Sequence, residues 1–132
     1  MLGRHYQVLR SLVRSVRQEY RQHAAAIRWR EAGVSVSPEA IILTDSGSQL
    51  ELGRGASIGR NTILNVRAHR RAGEPASSRL EIGERTAILE FNNIRAGGAA
   101  VRIGRDCLIS QYVTIVATNH LVDTDQPARH AP

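Results

Sequence analysis

His120 is the side chain of this 132-residue chain best suited to moving a proton. An imidazole with an ordinary pKa near ~6.5 accepts a proton close to neutral pH, which makes an outward-facing histidine a candidate general base. A zinc role fits poorly. His69, His120 and His130 lack the close paired spacing that an imidazole-only metal site requires. Cys107 is the single cysteine, and its place in the repeat described next reads as a small core residue rather than a nucleophile.

The residues around His120 recur on a beat of six. Ile82, Ile88 and Ile94 are followed by Ile103, Ile109 and Ile115, and His120 closes the last unit. A helix repeats every 3.6 residues and a flat strand every two, so neither produces this spacing. Leu52, Ile58 and Leu64 carry the same beat upstream, Val34 and Ala40 continue it more weakly, and Ser46 breaks it. Stacked hexads are the mark of a parallel β-helix, in which no unit buries its apolar face alone. Three hexads make one triangular coil. The expected coils are 34–51, 52–69, 82–99 and 103–120, with the aliphatic first residue inward and a small fifth residue filling a narrowing interior. Glycine at position two, as in Gly53, Gly59, Gly83 and Gly104, is expected to permit sharp corners. The sixth position, which includes His120, is expected at an outward corner.

The stretch from Ile82-Gly83 to His120 resembles the hexapeptide-repeat acyltransferases. The motifs are Glu90-Phe91-Asn92-Asn93, a short glycine-rich irregularity, Ile103-Gly104-Arg105-Asp106-Cys107-Leu108-Ile109, Val113-Thr114-Ile115 and Asn119-His120. This order is similar to the galactoside and maltose O-acetyltransferases and to polysaccharide O-acetyltransferases, and the likeness covers roughly residues 34–125. The resemblance implies a mainly β fold, a left-handed parallel β-helix of about four coils with an N-terminal amphipathic α-helix. It further implies transfer of an acetyl group from acetyl-CoA to a hydroxyl of a sugar, glycan or glycan precursor, with His120 as base and no metal. The acceptor-side candidates are Glu90, which takes the place of an asparagine, together with Asn92, Asn93 and Asn119. A homotrimer is implied as well, with sites in the clefts between coils, because the corner near Asn93 differs from the corner carrying His120 within one chain.

Two departures bear on these expectations. Gly97 or Gly98 replaces an acidic residue of that branch, which argues against a galactoside acceptor. Family members also continue with hexads that bind coenzyme A, whereas this sequence ends at Pro132, so no residue is assigned to the donor. Asp123, Asp125, Pro127 and Arg129 resemble the start of the loop that leads into those hexads. The second class of function is a truncated, non-catalytic β-helix that serves as a structural or oligomerisation module.

All 18 basic residues are arginine, and their distribution is uneven. Residues 1–32 hold seven arginines against Glu19 and Glu31, a net +5, while the rest of the chain carries +1. Leu2, Tyr6, Leu9, Val13, Val16, Tyr20 and Ile27 alternate four- and three-residue steps, which predicts a basic amphipathic helix over 1–33 with Gly33 as its stop. Its stripe could cap the open end of the coil, pair with another copy, or lie on an anionic membrane surface. Trp29, Tyr6 and Tyr20 make no stacking platform for nucleic acid. Residues 70–81 break the hexads with turn-forming residues and read as an ejected loop, and 121–132 as a C-terminal loop segment. One cysteine permits no intrachain disulfide, and no apolar run suits a signal peptide or a membrane span, so the expected location is cytoplasmic, with membrane association possible.

Overall fold

A computed structural model describes residues 2–67 and 78–117. One long helix leads into a three-sided parallel coil. Helix α1 spans Leu2–Glu31, thirty residues and therefore about 45 Å. It ends as Gly33 is placed to end it, with φ at +75°, a conformation that costs glycine little. Gly33 N–H donates to the Arg30 carbonyl at 3.0 Å and Val34 N–H to the Trp29 carbonyl at 2.8 Å. This is a Schellman motif, and Trp29 packs against the cluster containing Val34, the apolar contact that accompanies such a cap.

Eleven short strands follow among the described residues. The first coil holds β1 (Ser35–Val36), β2 (Ile41–Leu43) and β3 (Ser48–Leu52). The second holds β4 (Ser57–Ile58), β5 (Ile63–Asn65) and β6 (Ser78–Ile82), and the third β7 (Ala87–Ile88), β8 (Asn93–Arg95) and β9 (Ala100–Ile103). The last described coil contributes β10 (Leu108–Ile109) and β11 (Thr114–Val116). Equivalent strands pair in parallel and form three sheets, β1-β4-β7-β10, β2-β5-β8-β11 and β3-β6-β9. Register follows the hexads. Ile58 pairs with Ile88 and Ile88 with Ile109, while Leu64 pairs with Ile94 and Ile94 with Ile115. The first-position residues Ile58, Leu64, Ile82, Ile88, Ile94 and Ile103 are buried, each removal from water worth about 1.5–3 kcal/mol.

The first coil differs from its expected frame. Val36, not Ala40, pairs with Ile58, an offset of 22 residues rather than 18. Val34 and Ala40 therefore occupy fifth positions. The four extra residues are Thr44–Gly47, a turn in which Gly47 N–H donates to the Asp45 carboxylate at 3.0 Å. The loop expected over 70–81 also ends earlier. Its last four residues belong to β6, where Ser78 and Leu80 alternate inward with Ile82, and Ser78 Oγ accepts a hydrogen bond from Gly98 N–H at 2.7 Å. Residues 68–77 lie outside the described residues.

The corners and the second-position glycines also depart from expectation. Corners fall at position four, where Asn61, Arg85, Phe91, Asp106 and Tyr112 hold φ between 54° and 60°. Gly53 and Gly83 serve another purpose. A Cβ on either would come within 2.5 Å of backbone nitrogen in the next coil, at Glu84 and Arg105 respectively, so glycine there permits close stacking. The sixth positions lie within strands on the outer faces rather than at corners, as Asn93 in β8 shows.

Candidate functional site

The corner joining the first and second sheets carries two of the described acceptor-side candidates, Glu90 and Asn93. Glu90 sits on the turn between β7 and β8, partly buried, and Phe91 follows it with φ 59°. One coil further on, Tyr112 occupies the same hexad position with φ 60°. Their rings stack at 5.2 Å with only 6° between planes, and the Arg60 guanidinium lies over Phe91 at 5.7 Å. A bulky residue in this backbone region costs roughly 1–3 kcal/mol and persists only where the surroundings hold it. Here the Phe91 N–H donates to the Arg60 carbonyl at 3.1 Å, and stacked coils fix the ring spacing. Tyr112 remains 77% exposed.

The hexad motifs do not by themselves announce this aromatic stack. The available signal was the shared fourth position of Phe91 and Tyr112, 21 residues apart in a coil of that length.

Asn93 lies beside the corner on the outer face of β8, its Oδ1 accepting a hydrogen bond from Arg95 Nε at 3.1 Å. Asn92 is elsewhere. Expected at the outward corner, it points into the interior at 1% exposure, because it occupies a fifth position. Its amide is consumed by backbone there. Nδ2 donates to the Leu89 carbonyl at 2.9 Å, and Oδ1 accepts from Val113 N–H of the next coil at 2.7 Å. Thr62, one coil earlier in the same corner, and Thr86, at the corner before, do the same work, donating to the Leu89 and Gly104 carbonyls at 2.7 and 2.6 Å. Asn92 therefore belongs with these internal ties, which satisfy corner amides and carbonyls that no strand reaches.

His120 and Asn119 lie outside the described residues. Strand β11 ends at Val116, and Ala117 N–H donates to the Arg95 carbonyl at 2.9 Å, so the chain departs toward them from the end of the second sheet. Glu90 stands at the beginning of that sheet, one corner earlier. Cys107 is partly buried at a fifth position, packed against the core cluster. Among the described residues, no group of three or more His, Cys, Asp or Glu could hold a metal ion.

Of the charges with displaced pKa values, Glu39 lies on this same corner in the first coil, where a hydrogen bond from the Ser37 hydroxyl holds its carboxyl below the ordinary range, and the others lie on other surfaces. On the outer face of the third sheet, hydrogen bonds from Arg102 and Arg79 hold the Glu81 carboxyl below its ordinary range. Along the corner between the third and first sheets, Arg85 grips Asp106 with two hydrogen bonds, 2.6 Å from Nε and 2.8 Å from Nη2. That grip lowers the Asp106 pKa and raises that of Arg85. No family model, curated protein or solved structure matches the chain.

Proposed function

We propose that this chain is an acetyl-CoA-dependent O-acetyltransferase that acylates a hydroxyl of a sugar, glycan or glycan precursor, and that its coil is a left-handed β-helix. The observation that carries the reading is register. Ile103, Ile109 and Ile115 pair with Ile82, Ile88 and Ile94 of the coil before, so after the glycine-rich irregularity the hexads leading toward Asn119-His120 keep their register to Ala117. In the reaction, the acceptor oxygen attacks the thioester carbonyl carbon while His120 takes the hydroxyl proton. The tetrahedral intermediate collapses with cleavage of the carbon–sulfur bond, and the coenzyme A thiolate recovers a proton from the imidazolium. The products are the acetyl ester and free coenzyme A.

Glu90 and Asn93 are the acceptor-side groups of this proposal, with Asn119 next to the base. The exposed ring of Tyr112 supplies an apolar surface beside Glu90 against which a pyranose face can pack. Glu90 stands at the start of the second sheet in the third coil and β11 ends at the far edge of that sheet in the fourth, so in this proposal one active site draws Glu90 and His120 from different copies, as in a homotrimer with clefts between coils.

The test is thiol release from acetyl-CoA in the presence of a panel of sugars and oligosaccharides. Acceptor-dependent release that falls by about 10²–10⁴-fold in His120→Ala supports the proposal. Absence of both release and coenzyme A binding by calorimetry assigns the coil to the non-catalytic structural class instead.

A further inference from the structure

The apolar stripe of α1 is not the surface that closes the coil. Trp29 packs against the core cluster at the end of the helix, and β1 is the strand that α1 meets. Trp29 follows Ile27 by two residues, about 200° around the axis, so the stripe containing Ile27 points away from the coil. Tyr6, Leu9, Val13, Val16, Tyr20 and Ile27 are all more than half exposed, Tyr20 at 75%. No helix among the described residues is long and apolar enough to cross a membrane.

The charge beside this stripe decides what covers it. Arg10 and Arg17 follow the stripe residues Tyr6 and Val13 by four positions, and Arg14 and Arg28 follow Val13 and Ile27 by one. Steps of four and one advance by about 40° and 100°, so all four arginines line the same flank. Arg10 lies over the Tyr6 ring at 5.8 Å, joining flank to stripe. A second copy fits this pattern badly. In a parallel pair the facing flank residues are His5 with Arg10, Leu12 with Arg17 and Glu19 with Ala24, none of opposite charge, and each segment carries +5. Nucleic acid would use the arginines and leave the aliphatic stripe in water. An anionic lipid surface takes both, the acyl boundary receiving the stripe and the headgroups the arginines.

We propose that α1 is an interfacial anchor that lies along an anionic phospholipid surface, its apolar stripe in the acyl boundary and Arg10, Arg14, Arg17 and Arg28 on the headgroups. The proposal is independent of the acyl-transfer reading.

The experiment is co-sedimentation of the full chain with vesicles of phosphatidylcholine alone or with added phosphatidylserine, at low and high salt. Binding is expected to the anionic vesicles and to weaken as salt rises. An arginine near such a surface contributes about a factor of five in affinity, so Arg10→Gln, Arg14→Gln and Arg17→Gln together should cost roughly a hundredfold. Val13→Asp should abolish binding while circular dichroism shows the coil intact. No binding, or equal binding to both vesicle types unaffected by the arginine changes, overturns the proposal. A concentration-dependent rise in mass that Val13→Asp removes, without vesicle binding, would make another copy the occupant. Retention on duplex DNA insensitive to Val13→Asp, again without vesicle binding, would assign nucleic acid.

Discussion

The helix and the coil carry similar aliphatic residues, yet the coil buries them and the helix leaves them in water. Ile94 is fully buried between rungs on the second sheet, while Val13 is 57% exposed on α1. The difference lies in what each period can do alone. A six-residue period closes on itself, because every coil supplies the partner for the one before it. An alternating four-three period produces one face and waits for a surface from elsewhere.

The sharpest way to break this comparison is to make the same kind of deletion in both regions. Ile94→Ala should destabilise the chain by about 2–5 kcal/mol through lost transfer energy and a cavity, whereas Val13→Ala should stay within about 0.5 kcal/mol, both read from urea midpoints. A comparable loss at Val13 would mean that the stripe is packed in the free protein.

Gly83→Ala sharpens the account of the coil. Its added Cβ would meet the Arg105 backbone nitrogen at 2.5 Å, forcing two coils apart, and a loss of about 1–3 kcal/mol in the same measurement is expected. Glycine kept only for turning would give a smaller effect, since Gly83 is not among the glycines with positive φ.

The smallest effect concerns acid. Asp106 has a folded pKa below its ordinary 3.8 because Arg85 binds the ionised form. Its stabilisation is therefore present above that ordinary value and disappears as pH falls through the lower folded value. A melting series between pH 5 and pH 2 should show a small extra loss at the acid end, absent in Asp106→Asn.

Much of the coil was legible because inward isoleucines are a repeated event, and one misplaced unit does not hide the beat. The first coil was misframed for the opposite reason. Periodicity counts residues and does not see the four added at Thr44–Gly47, so Val34 and Ala40 took the place of Val36 and Ile42. The corners were assigned to glycine because glycine is the usual sign of positive φ, but the stack holds Arg85, Phe91, Asp106 and Tyr112 there instead. The sequence neighbours of Asn92 point to a site residue. Its fifth position carried the correct signal, since Thr62 and Thr86 share it and are equally buried. The Phe91–Tyr112 stack requires knowing that residues 21 apart are vertical neighbours, which no local pattern reveals.

The internal ties have a consequence for how the molecule comes apart. Thr62, Thr86 and Asn92 each reach from one rung to the next, so each rung is fastened mainly by the rungs above and below it. Loosening should then begin at the two ends and travel rung by rung, as a ladder loses its outermost steps first. Among the described coils, the second and the third, each flanked on both sides, would be the last to let go.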